Sequence, residues 1–179
     1  MRYAVLLLLA GASVPGIPAA VPQRPRVPYT FERNVGQAPA EVRYLARGKG
    51  YGLYLTERDA GLTLVHGSET SRTVRMSLEG SGAPAAIEGV EPASQSINYF
   101  TGNDPAQWKT DVPAFHRVRY RSVYPGVDLV YRNGDGNLEY DFIVAPHTSA
   151  DAIRLRFDGM QQMRITAAGA LELSFGAVS

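Results

Sequence analysis

The chain has 179 residues, the size of one domain, and its 18 basic and 17 acidic residues leave a formal charge of +1. So even a balance gives no long-range field to draw in nucleic acid or an anionic membrane, and 45% hydrophobic against 20% charged residues describes a folded rather than a disordered chain. Cysteine is absent, which excludes disulfide scaffolds, zinc–thiolate and iron–sulfur sites, thiol nucleophiles and a lipid-anchored product.

Residues 1–20 have the order of a secretory signal peptide: Arg2 supplies the positive start, Tyr3 to Ala10 an apolar run, and Gly11 to Ala20 a stretch of small residues and prolines. The apolar run is far shorter than the roughly 20 residues that span a bilayer, so no membrane span is expected. The reading predicts cleavage, leaving 17 basic against 17 acidic residues, and export to a secreted, cell-surface or periplasmic location. The competing reading of the same run is an ordinary buried helix or strand. Residues 21–28 (VPQRPRVP) read as a proline-rich extended linker, and residues 29–179 as a single β-rich domain.

Within that domain apolar and polar residues alternate in short segments, at 42–47, 51–56, 61–66, 73–78, 96–100, 115–121, 127–132, 138–144, 153–157 and 171–175. Gly, Pro, Asn or Asp punctuates nearly every gap, and past the leader no helical period persists beyond two turns. The expectation is an all-β fold, an antiparallel sandwich or open barrel of about ten short strands. No internal repeat suggests a solenoid or a propeller. The glycine-rich Gly48-Lys49-Gly50-Tyr51-Gly52 precedes a strand, where a phosphate-binding loop would open a helix, and so reads as a turn.

The chemistry-bearing residues concentrate in 115–144. Along the first segment Phe115, Arg117, Arg119 and Arg121 share a face; along the next two, Asp128 and Arg132, then Glu139 and Asp141, lie opposite the apolar side. Facing strands must pair like faces, so partner numbers must sum to an odd value. A sum of 269 gives the four-residue loop 133–136 and sets Asp128 across from Asp141; a sum of 271 gives a longer loop and pairs Arg132 with Glu139. Either register gathers Asp128, Glu139 and Asp141 on one polar face. Three readings compete for them: a calcium site, the general acid/base pair of a secreted hydrolase, and cross-strand ion pairs with Arg117, Arg119, Arg121 and Arg132. The ion-pair face is the simplest, and no catalytic residue, cofactor or metal ligand is assigned, calcium being the one ion that the three acids would suit.

Other signals are weaker. Asn133 to Asn137 (NGDGN) has the oxygen spacing that begins an EF-hand, but Leu138 and Val144 stand where Gly and Glu are required, so it reads as the turn closing a hairpin. His66, His116 and His147 have no metal-ligand spacing, and no G-x-S-x-G elbow occurs. Trp108 and ten tyrosines could build a carbohydrate platform, although the tyrosines alternate with polar residues as core aromatics do.

Four segments carry a family resemblance. Phe31 to Gln37 (FERNVGQ) resembles an opening F-E-x-N-x-G-Q; Ile97 to Pro105 (INYFTGNDP), with Trp108 and Thr110, resembles N-Y-F-x-G-x-D-P…W-x-T; Val118 to Tyr131 and Leu138 to Val144 (LEYDFIV) resemble a central signature. Together they resemble the uncharacterised N-terminal domain found ahead of SBBP (β-propeller-type) repeats in large secreted bacterial proteins, over about residues 29–175. The resemblance implies an exported β-rich domain, with downstream repeats, other surface proteins or glycans as partners, and carries over no catalytic residue. Two departures stand out: Ala145 to Asp151 replaces a P-G-A-D-P-like turn, and relatives continue beyond the position of Ser179. The expectation is therefore a C-terminally truncated copy with an incomplete sheet. Function is expected to be that of a non-enzymatic structural or interaction module, with a carbohydrate-binding module and a hydrolase using Asp128, Glu139 or Asp141 as the alternatives.

Overall fold

A computed structural model describes residues 2–6, 30–48, 50–66, 70–134, 137–167 and 169–175. The fold is nearly all β, with two single-turn 3₁₀ segments, Pro105–Gln107 and Ala150–Ala152, as its described helices. The first five strands are β1 (Arg2–Leu6), β2 (Phe31–Arg33), β3 (Tyr44–Gly48), β4 (Tyr51–Leu55) and β5 (Asp59–His66). β6 (Thr70–Leu78), β7 (Ala86–Pro92), β8 (Ile97–Tyr99) and β9 (Lys109–Val112) follow. The centre is β10 (Ala114–Tyr124), β11 (Val127–Gly134) and β12 (Asn137–Val144), and the chain ends on β13 (Leu155–Asp158), β14 (Gln162–Ile165) and β15 (Leu171–Ser174).

One antiparallel sheet runs β1-β12-β11-β10-β2-β3-β4-β5-β6-β13 and curls into a half-barrel. β10 forks it. Phe115 pairs with Phe31 of β2, and from Phe115 to Arg121 the same edge pairs with β7. The hairpins β8–β9 and β14–β15 stand outside the main sheet. Curling brings the apolar faces of β3–β6 against those of β10–β12: Tyr44, Leu53, Leu55, Leu62 and Met76 share one core with Val118, Tyr120, Leu129, Tyr131, Tyr140 and Phe142. The two halves are also joined through tyrosine hydroxyls. Tyr120 donates to the Thr56 carbonyl (2.6 Å) and Tyr124 to that of Glu79 (2.8 Å), so each ring is buried and its polar tip satisfied.

The fifteen described strands exceed the expected ten. The unread ones are β1, β2, β7, β9 and β14, which are short or lack a clean two-residue period. β7 carries Glu88, Gly89 and Glu91, and β14 is exposed throughout. Arg2–Leu6, within the expected leader, is a strand paired with β12 from Arg2↔Ile143 to Leu6↔Glu139. The rest of that leader, the linker at 21–28 and the tail 176–179 lie outside the described residues. No helix among the described residues is long and apolar enough to cross a membrane.

The central hairpin takes one of the two expected registers and departs from expectation in its loop. Its register is the 271 sum, with Arg132↔Glu139 and Val130↔Asp141, so Asp128 faces Ile143 rather than Asp141. The loop is shorter than expected, not longer. Pairing continues through Asn133↔Leu138 to Gly134↔Asn137, which places Asn133 and Asn137 in the strands and leaves residues 135–136, outside the described residues, as the connection.

Candidate functional site

Every acid of the polar face has a guanidinium beside it. Arg119 donates to Asp128 through Nε (3.0 Å) and Nη2 (2.5 Å). Arg132 reaches Glu139 through Nη2 (2.5 Å) and Asp141 through Nε (2.7 Å), bridging the two carboxylates with its forked donors. Local geometry adds to the Asp128 pair. A bulge between Tyr120 and Tyr124 turns Ser122 to φ 55°, which aims its amide at Asp128 Oδ1 (2.7 Å). Burial pushes the Asp128 carboxyl up, but the Ser122 amide and the Arg119 guanidinium outweigh it and hold the group below its ordinary value.

The other two arginines do not serve these acids. Arg117 pairs with Glu91 (3.2 Å) and Arg121 with Glu88 (3.8 Å), both on β7. Sequence reasoning missed this because it missed β7, which lies along the edge of β10 opposite β11. The ionic stripe therefore spans four strands, β7-β10-β11-β12. Among the described residues no group of three or more His, Asp or Glu is arranged to hold a metal ion. His116 and His147 are exposed and distant in the chain, and the side chain of His66 lies outside the description.

The quoted motifs meet in space, where they build loops. The Asn34 side chain makes five hydrogen bonds within its own loop. Nδ2 donates to the carbonyls of Ala38, Pro39 and Val42, and Oδ1 accepts from the amides of Gly36 and Ala38. Gln37 closes the loop from the other side, accepting from the Val35 amide and donating to the Arg33 carbonyl. Gly36 takes φ 106°, a conformation that L side chains rarely adopt. Glu32, buried in β2, accepts a short hydrogen bond from Tyr99 of β8, and Arg47 lies over the Tyr99 ring at 5.1 Å. This contact ties the β8–β9 hairpin to the main sheet; burial and the Glu32 carboxylate push the Tyr99 hydroxyl up to about 12. The central signature is likewise architectural. Pro125-Gly126, with Gly126 at φ 72°, turns β10 into β11, and Gly50 at φ 84° turns β3 into β4.

Packing accounts for most of the described tyrosines that the core contains. Tyr44, Tyr120, Tyr124, Tyr131 and Tyr140 are core residues, and Trp108 stands at 84° to the exposed ring of Phe100. Two of the cavities among the described residues are large and open. One, of about 640 Å³, lies between the Asn34 loop, Arg43, Glu57 and Ile87. The other, of about 460 Å³, lies over the ionic stripe at Arg117, Arg119 and Arg132.

A family model described as a domain of unknown function, DUF7948, matches residues 31–178. No curated protein and no solved structure matches the chain.

Proposed function

Starting from the fact that the chain belongs to the DUF7948 family of unknown function, we propose that it is a non-enzymatic interaction module of a secreted or cell-surface protein. The observation that carries this reading is the ionic stripe. Asp128, Glu139 and Asp141, the acids a hydrolase or calcium site would use, are each held by arginine, and their pairing knits strands together. A hydrolytic pair needs one carboxyl kept protonated by a second, unneutralised charge or by burial; here Asp128 moves the opposite way. Export is supported by the charge–apolar–small order of residues 1–20, and a place ahead of SBBP repeats by the four motif segments.

The test is thermal. Arg119→Ala strands Asp128 with the Ser122 amide alone, whereas Asp141→Asn leaves Arg132 on Glu139. Arg119→Ala is therefore expected to lower Tm more than Asp141→Asn, with calcium changing neither. A calcium titration that raised the wild-type Tm by several degrees and did nothing to Asp141→Asn would overturn the reading.

A further inference from the structure

The cavity beside the Asn34 loop has the features of a built binding site. Its volume of about 640 Å³ falls within the range of small-molecule sites. One wall is the loop that Asn34 and Gln37 fix through seven hydrogen bonds, so little backbone would need ordering on binding. Arg33 and Arg43 both line it. Among the described residues the Arg33 guanidinium has no carboxylate within ion-pair reach and bonds only the Tyr44 hydroxyl, at 3.4 Å. Arg43 meets Glu57 at 3.8 Å, with both side chains about half exposed (56% and 50%), a loose pair that leaves most donors available. The two arginines outnumber the single acid of the lining, Glu57, and Lys109 lies close to Gly36.

This chemistry selects a ligand. Two guanidinium forks with open donors suit a carboxylate. Glu57 is an acceptor for ligand hydroxyls, and Val42, Pro84 and Ile87 give the cavity an apolar wall. A bare inorganic anion would use the arginines and leave Glu57 repelling it. We propose that the cavity binds a carboxylated sugar of the uronic acid type, its carboxylate between Arg33 and Arg43 and its ring hydroxyls on Glu57. The proposal gives the interaction module a ligand and rests on that reading.

The experiment is isothermal titration calorimetry and thermal melting of the full chain with D-glucuronate, D-glucose and sodium sulfate at constant ionic strength. Glucuronate binds and, at about ten times its Kd, raises Tm by roughly 3–6 °C, whereas glucose and sulfate do not. Arg33→Gln and Arg43→Gln each weaken glucuronate by about 10- to 100-fold while the ligand-free Tm stays at the wild-type value. Should either variant misfold, Ala40→Trp fills the cavity without removing a charge and is expected to abolish binding. No glucuronate binding, binding indifferent to Arg33→Gln, Arg43→Gln and Ala40→Trp, or sulfate binding as tightly as glucuronate would each overturn the proposal. None of these results touches the calcium test, so failure of the ligand and failure of the module reading are distinguishable.

Discussion

Replacing Arg132 with alanine withdraws the guanidinium that lies 2.5 Å from Glu139 and 2.7 Å from Asp141. The exposures of the three side chains set the magnitude. Arg132 is 30% exposed and its partners 18% and 17%, between the surface pairs worth about 0–1 kcal/mol and the buried ones whose breakage costs about 3–5 kcal/mol. A loss of about 2 kcal/mol is expected, or roughly 4–8 °C in Tm for a domain of this size. The cost arises mostly from the two carboxylates left side by side on β12 without a cation, so it should depend on pH. Acid removes the charge that repels, so the deficit against wild type should be largest at neutral pH and narrow as the medium is acidified. Urea titrations of Arg132→Ala, of Glu139→Gln with Asp141→Asn, and of the triple variant close the cycle. The triple variant should recover at least half of the Arg132→Ala loss. A triple variant no more stable than Arg132→Ala, or a deficit that stays constant with pH, would refute the reasoning.

Two further expectations concern the interior. The Tyr140 hydroxyl is buried without a hydrogen-bond partner among the described residues, and burial pushes it up to about 12, so Tyr140→Phe should raise stability by about 1 kcal/mol in urea titration. With its folded pKa above the usual 10, Tyr140 also contributes stability that is full below pH 10 and lost as pH rises through about 12, and the Phe variant should lose less over that window. Gly159 adopts φ 92°, where a Cβ would stand 2.1 Å from the Thr73 carbonyl oxygen; Gly159→Ala should cost about 2–4 kcal/mol and be the most damaging of these changes in thermal melts.

What the sequence made legible was whatever had a strict two-residue period. β10, β11 and β12 alternate cleanly because one face meets the core and the other meets arginine, and their ranges were read within a few residues. β7 escaped because all of its first five residues are half-buried, so no face is marked apolar, and its two glutamates look like loop residues until Arg117 and Arg121 are placed beside them. The acid-face partners were half legible for the same reason: pairing within a hairpin follows from parity, but the neighbour across the other edge of β10 does not. The Arg33–Arg43 cavity was not legible at all. It is made by a loop, a strand end and residues more than ten positions away, and its clearest local signal, F-E-x-N-x-G-Q, describes the loop's hydrogen bonding rather than the cationic wall behind it.

The register also explains why the outer strand β12 carries the charges it does. Glu139 and Asp141 lie on the solvent face, where Arg132 of β11 can neutralise them; Tyr140, Phe142 and Val144 fill the core from the other face. On its outer edge β12 pairs with β1, five residues of the expected leader. If export removes that segment, the backbone N–H and C=O groups along 139–143 become an open edge, the place where sheets are prone to recruit another strand. Charged side chains on an edge strand oppose such recruitment, and β12 has two of them in alternate positions. The same arginine bridge that stabilises the hairpin partly cancels this protection. Loss of Arg132 would thus weaken the fold while restoring two negative charges to its edge, which separates a variant that melts early from one that aggregates.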